Sequence, residues 1–90
     1  MPAFLVFYQF KTMSEEEAKK AKEEWENIKK NLPAGLELAG EYDHAWGTEY
    51  NGFLIFHASD ADTFLNWWPS FKDSIRWYVT KTHTITAKKR

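Results

Sequence analysis

The chain has 90 residues, 12 basic and 13 acidic for a formal charge of -1, with 43% hydrophobic and 18% aromatic side chains and no cysteine. One domain over residues 1–90 is expected, able to bury about two-thirds of its unfolded surface and small enough to gain from pairing with a second copy. The balanced charge offers no field for nucleic acid or an anionic membrane, and the lack of cysteine excludes disulfides, thiolate nucleophiles and cysteine-based metal sites.

Ala3 to Phe10, AFLVFYQF, is β-branched and aromatic without a breaker, and apolar on both alternating faces: Phe4, Val6, Tyr8 and Phe10 against Leu5 and Phe7. A strand covered on both sides reads this way. Ser14 and Glu17 then form an S-x-x-E capping box, acidic residues fill the first turn, and Ala18, Ala21, Trp25, Ile28 and Leu32 recur at helical spacing. The opposite face pairs Glu15 with Lys19, Glu16 with Lys20 and Glu26 with Lys30 at i,i+4, so its charges read as a solvated surface. Pro33 and Gly35 end the helix, and in the strand that follows alternation places Leu36, Leu38, Tyr42, His44 and Trp46 on one face.

The next turn has two candidate seats, Gly47-Thr48 and the Asn51-Gly52 pair, the latter a strong type I′ signal. The first is favoured because it leaves Tyr50 to Ala58 as a full strand. Ser59 and Asp60 supply caps for a helix burying Phe64, Leu65 and Trp68, which Pro69 is expected to stop because proline lacks an N–H and restricts the residue before it. Ser74 to Ala87 reads as a long last strand, rich in β-branched and aromatic residues.

The order β-α-β-β-α-β is that of the ferredoxin-like α+β fold, a four-stranded antiparallel sheet with two helices on one face. Yet the third strand, like the first, is apolar on both faces, with Tyr50, Leu54 and Phe56 alternating with Phe53 and Ile55. Something must cover the second face, and a second copy is the economical cover. Two such sheets packed face to face make a dimeric α+β barrel with room for a small molecule. The stretch WGTEYNGFLIFHASDADTF resembles the dimeric α+β barrel superfamily, including its GYD-type and antibiotic-biosynthesis-monooxygenase-like small proteins. There a Gly-x-x-Tyr-[Asp/Asn] step opens the third strand and an acidic, helix-capping segment closes it; here these are Gly47, Tyr50 and Asn51, then Ser59, Asp60 and Asp62. The resemblance implies a homodimer. Its members include cofactor-free quinone-forming monooxygenases, lactone isomerases, haem-degrading enzymes, ligand-sensing domains and many small proteins of unknown role, so it implies a fold more than a reaction.

Tyr42, His44 and Trp46 are the first site candidates, because on a face lining the barrel they would meet an aromatic ligand. His44 would act as acid/base, imidazole being the side chain that exchanges protons near neutral pH, with Tyr42 orienting the substrate and Trp46 stacking on it. The plainer alternative is a hairpin end packed on the partner subunit. Asp43 points away from His44 on an ideal strand, so the adjacent pair is no acid-base dyad. In FLNWWPSFKDSIRWYV, Trp77 offers a second stacking surface and Arg76 a bidentate cation for a carboxylate, while one of Trp67 and Trp68 is left over for a dimer contact.

His44, His57 and His83 fall on three different strands without chelating spacing, so no metal site is expected. Haem-binding relatives use one strand or loop histidine in an apolar pocket, which His44 or His83 could supply, but nothing else in the sequence calls for haem, and no cofactor is expected. RNA-recognition motifs share the element order, but NGFLIFHA has Asn51 in place of their basic residue and Ile55 in place of their second stacking aromatic, so no nucleic-acid partner is expected. No stretch approaches the roughly 18 apolar residues of a membrane span, and the apolar start lacks a basic n-region, so a cytoplasmic location without a membrane partner is expected. The expectation is a homodimer holding a small aromatic or apolar molecule in its inter-sheet cavity. It would serve either as a cofactor-independent monooxygenase- or isomerase-like enzyme or as a non-catalytic metabolite-binding, sensory or structural module.

Overall fold

A computed structural model describes residues 2–43 and 49–88 and has the expected order of elements: β1 (Pro2–Phe10), α1 (Glu15–Lys30), β2 (Leu36–Asp43), β3 (Gly52–Ala58), α2 (Ala61–Ile75) and β4 (Val79–Lys88). The strands form one antiparallel sheet in the order β2-β3-β1-β4, and both helices pack on the same face of it, which is the ferredoxin-like arrangement.

Local chemistry starts α1. Ser14 Oγ accepts from the Glu17 N–H at 3.2 Å while Glu17 Oε1 accepts from the Ser14 N–H at 3.1 Å, so two orphan donors are satisfied. Glu17 Oε2 accepts from Lys11 Nζ at 2.9 Å, and that bond is the main cause holding its carboxyl below the usual range. At the other end Asn31 Nδ2 donates to the Asn27 carbonyl at 2.7 Å, and Gly35, at φ +87°, turns the chain into β2. A Cβ on Gly35 would lie 2.7 Å from Ser59 Oγ.

Asp60 caps α2, its Oδ1 accepting from both N–H and Oγ1 of Thr63 at 2.8 Å. Pro69 does not stop this helix but lies inside it, and α2 runs on to Ile75. The bond a proline cannot make is to the carbonyl of exposed Leu65, while Phe71 and Ile75 continue the buried stripe that Phe64 begins; packing outweighs the local break. Ser74 and Ile75 therefore belong to α2, and the last strand starts at Val79 instead of Ser74. Leu65, expected inside, is 56% exposed. Trp67 takes the inward position, stacked on Phe71 with ring centroids 4.4 Å apart.

The core between sheet and helices is strongly aromatic. Phe4 of β1 stacks on Phe64 of α2 at 4.0 Å and 7°. Trp25 of α1 meets Tyr8 at 5.3 Å, Phe71 at 5.9 Å and Tyr78 at 6.3 Å, so one indole ties α1 to β1, to α2 and to the turn before β4.

Candidate functional site

Strand register divides the side chains into two sets. Phe4, Val6 and Tyr8 of β1 are buried under the helices, so Leu5 and Phe7 alternate to the other face. Antiparallel partners share a face, and three rows therefore cross the open side of the sheet: Tyr42–Phe53–Phe7–His83, Gly40–Ile55–Leu5–Ile85 and, at its margin, Glu37–His57–Ala3–Ala87. The first row is continuous ring against ring. Tyr42 stacks on Phe53 at 4.9 Å and 17°, Phe53 meets Phe7 at 5.1 Å, and Phe7 meets Tyr50 at 5.8 Å and His83 at 6.4 Å. In the single chain Tyr42 is 51% and Ile85 44% exposed. A polar rim closes one end: Lys81 Nζ pairs with Glu49, lies 5.6 Å from the Tyr50 ring centre, and sits beside Gln9, whose Nε2 donates to the Glu49 carbonyl at 3.2 Å.

The placement of Tyr42 corrects the alternation read from the sequence. Leu36 opposes Ala58 and Leu38 opposes Phe56, on the helix side, but the register then slips and Gly40 opposes Ile55. One extra residue on β2, Ala39, inverts every later side chain, so Tyr42 lies on the face opposite Leu36 and Leu38. Tyr50 also differs from expectation. It precedes β3, which starts at Gly52, so strand alternation does not reach it and its ring joins Phe7 and His83 on the open face.

The same slip sends Glu41 toward α1, where it accepts from Trp25 Nε1 at 2.8 Å and Lys29 Nζ at 2.9 Å. Burial alone would raise the Glu41 carboxyl, but these two donors outweigh it and hold the group below its usual range. Lys29 shows the converse: burial lowers it, and hydrogen bonds to Glu26 and Glu41 more than restore it, leaving it raised. Below them Tyr8, desolvated and near the carboxylates of Glu41 and Asp43, is pushed up to about 12. Gly52 makes room for its phenol, since a Cβ there would lie 2.6 Å from the Tyr8 hydroxyl. Gly52 lacks a positive φ, so Asn51-Gly52 is not a type I′ turn. Asn51 instead clamps the start of β3 to the end of β1, its Oδ1 accepting from the Phe10 N–H at 2.7 Å and its N–H donating to the Tyr8 carbonyl at 2.8 Å.

Of the residues singled out from sequence, His44 and Trp46 lie outside the described residues, as does the favoured turn at Gly47-Thr48. Trp77 and Arg76 are not brought to Tyr42. Because α2 continues past Pro69, residues 76–78 close the end of that helix on the helix layer. Trp77 Nε1 donates to Glu24 Oε1 at 3.2 Å, and Lys20 Nζ lies 5.3 Å from the indole. Arg76 Nη2 bonds Asp73 Oδ1 at 2.8 Å and, with Lys72 and Lys81, lines a cleft of about 360 Å³ between the end of α2 and β4. What the sequence reading missed is that Tyr50 and His83, weighed there only as part of a strand-opening step and as a haem ligand, come together with ring centres 6.3 Å apart. Its signal was alternation within KTHTITA, where His83 and Ile85 share a face opposite Phe7 and Leu5. Among the described residues no three histidine, aspartate or glutamate side chains converge as metal ligands, and no helix is long and apolar enough to cross a membrane.

Solved structures share the architecture. A dabb family protein with a ferredoxin-like fold from Mesorhizobium loti is 16% identical with TM-score 0.71, the match covering 99% of this chain and 96% of that one. A structural-genomics target from Agrobacterium tumefaciens is 20% identical with TM-score 0.67, covering 100% and 94%. A NIPSNAP-like domain protein from Burkholderia xenovorans is 11% identical with TM-score 0.66, covering 99% and 84%. At such identities the likeness is one of fold. No curated protein matches the chain. Residues 2–86 match the model of a domain of unknown function, DUF3303, and the chain belongs to that family.

Proposed function

We propose that the chain works as a homodimer whose open sheet faces close around a small aromatic or apolar molecule. The observation that carries this reading is the uncovered pair of rows, Tyr42–Phe53–Phe7 and Ile55–Leu5–Ile85, an apolar and aromatic surface over the centre of the sheet with its polar groups at the rim. Contiguous apolar surface of this kind marks an interface or a ligand site. Here the two coincide, because sheets meeting face to face enclose whatever their centres do not fill. Tyr42, stacked on Phe53, orients a planar ligand along the row. His44 is the proposed acid/base, Trp46 a further stacking wall, and Tyr50 with His83 the polar pair at the far end of the same row. The reaction class is proton transfer on an aromatic or polyketide-like substrate, as in a cofactor-independent monooxygenase- or isomerase-like enzyme located in the cytoplasm.

A second reading, binding without turnover, draws support from the face itself. Its central rows are hydrocarbon, and Lys81, the cation at their rim, is already paired with Glu49. Native mass spectrometry of the purified protein, followed by an aromatic-ligand screen with product analysis, separates the two. A dimer that converts a ligand, with conversion lost in His44→Ala, supports the enzyme. A dimer that binds without product, equally well in His44→Ala, supports the module. A monomer that binds no ligand overturns both.

A further inference from the structure

Charge is unevenly placed on the open face. Glu37 stands in the margin row, opposite His57. Lys81 stands at the other end of the face, opposite Gln9, about 20 Å along β4 from Ala87 of the margin row. Between the two ends lie the hydrocarbon rows of Ile55, Leu5 and Ile85 and of Phe53 and Phe7. His83 is on the same strand and face as Lys81, about 7 Å further on, exposed, with its ring 6.4 Å from Phe7. Lys81 Nζ reaches the same rings from the other side, since it lies 5.6 Å from the centre of Tyr50, which in turn meets Phe7 at 5.8 Å. The aromatic row thus ends beside an ammonium and an imidazole, and the far margin ends beside a carboxylate. An anionic head on a flat ligand is drawn to the first end and repelled from the second.

Lys81 already has a partner in Glu49, but a replaceable one. The two side chains are 52% and 55% exposed, and an ion pair so placed is worth no more than about fivefold in an equilibrium. The backbone of Glu49 is held independently of that pair, its carbonyl accepting from Gln9 Nε2 at 3.2 Å. Its carboxylate can therefore leave Lys81 by side-chain rotation alone.

We infer that the open face takes a planar aromatic monocarboxylate, its rings on Phe7 and Phe53 and its carboxylate on Lys81 in place of Glu49. One ammonium and one imidazole N–H, from Lys81 and His83, match the two oxygens of such a head. The inference rests on the reading of this face as a ligand site, and adds the head group of the ligand and the end at which it lies.

The test titrates 2-naphthoate, 2-naphthol and 2-(aminomethyl)naphthalene, an anion, a neutral molecule and a cation with one ring system, into isotope-labelled protein at neutral pH. Amide shifts give both affinity and place. The expected shifts centre on Phe7, Phe53 and Lys81, with 2-naphthoate bound at least about tenfold more tightly than either comparison probe. Glu49→Gln, which removes the competing carboxylate at an exposed position, should tighten 2-naphthoate about threefold to fivefold. Lys81→Met should cancel the preference and leave 2-naphthol unchanged. Binding of 2-naphthol on Phe7 and Phe53 as tightly as 2-naphthoate overturns the inference and leaves the ligand-site reading standing, as does a preference for 2-naphthoate that survives Lys81→Met. Shifts centred on Lys72 and Arg76 overturn it too, by placing the anion in the cleft at the end of α2. If no probe moves Phe7 or Phe53, the inference and the ligand-site reading fall together.

Discussion

Ile55→Glu places a charge at the centre of the open face, between Leu5 on β1 and Gly40 on β2. In the single chain Ile55 is half-buried and its new carboxylate can reach water, so folding loses little beyond strand preference, a scale spanning about 1 kcal/mol. In a face-to-face dimer each copy forgoes burial of one isoleucine, about 1.5–3 kcal/mol, and desolvates a carboxylate at an effective cost of several kcal/mol. Both terms count twice. With 1.4 kcal/mol per power of ten, the dissociation constant should rise by at least about four powers of ten. Sedimentation equilibrium reads this directly, and the dependence of Tm on protein concentration should disappear in the variant. Leu65→Glu, on the exposed side of α2, is the control and should leave the assembly intact. An Ile55→Glu protein that dimerises with the parent's affinity would refute the reasoning, and dissociation by Leu65→Glu alone would move the interface to the helix layer.

Phe64→Ala removes a ring stacked on Phe4 and touching Phe56, Trp67 and Trp68, and should cost about 3–5 kcal/mol, visible as a fall in Tm of tens of degrees or as an unfolded chain. Glu17, Glu41 and Asp60 are all held below their ordinary range when folded, so their stabilisation is present above the unfolded carboxylate values and lost as pH falls through the folded ones. Denaturant midpoints should decline in acid, less steeply in Glu41→Gln, and a flat profile would contradict the pairs described. Tyr8 and Tyr78 are raised, so the sign reverses: their stabilisation is full below pH 10.0 and is lost as pH rises through the folded values, about 12 for Tyr8. Phenolate absorbance should show two of the four tyrosines ionising only as the protein unfolds in alkali. Pro69→Ala restores an N–H facing the Leu65 carbonyl and should raise Tm by several degrees; a fall would mean that α2 needs its proline for packing.

Elements whose causes are local were legible in the sequence. The capping box of Ser14 and Glu17 and the Asp60 cap each depend on residues within one turn, and both helices begin where those residues stand. The two-faced apolar character of β1 was legible too, and the open rows of the sheet are its consequence. Pro69 was misread because the local rule is correct and incomplete: a proline costs one hydrogen bond, and Phe71 and Ile75 bury enough beyond it to keep the helix going. That single error moved residues 76–78 onto the wrong element and grouped Trp77 and Arg76 with Tyr42. The slip at Ala39 leaves no mark in composition, because a bulge is specified by which partner residues fit and not by the strand's own alternation.

That slip gives the open face its chemistry. With unbroken alternation Glu41 would project from the open face and the Tyr42 ring would enter the helix-side core. One extra residue exchanges them. Glu41 gains Trp25 and Lys29 as donors and ties β2 to α1, while Tyr42 extends the Phe53–Phe7 row to the edge of the sheet. The same swap removes a carboxylate from the centre of the surface where a second copy is proposed to pack, leaving Glu37 at its margin, and Ile55→Glu would recreate that central charge one strand away. The bulge thus serves folding and the proposed assembly together, because the charge that would oppose one sheet meeting another is the charge that fastens the first helix.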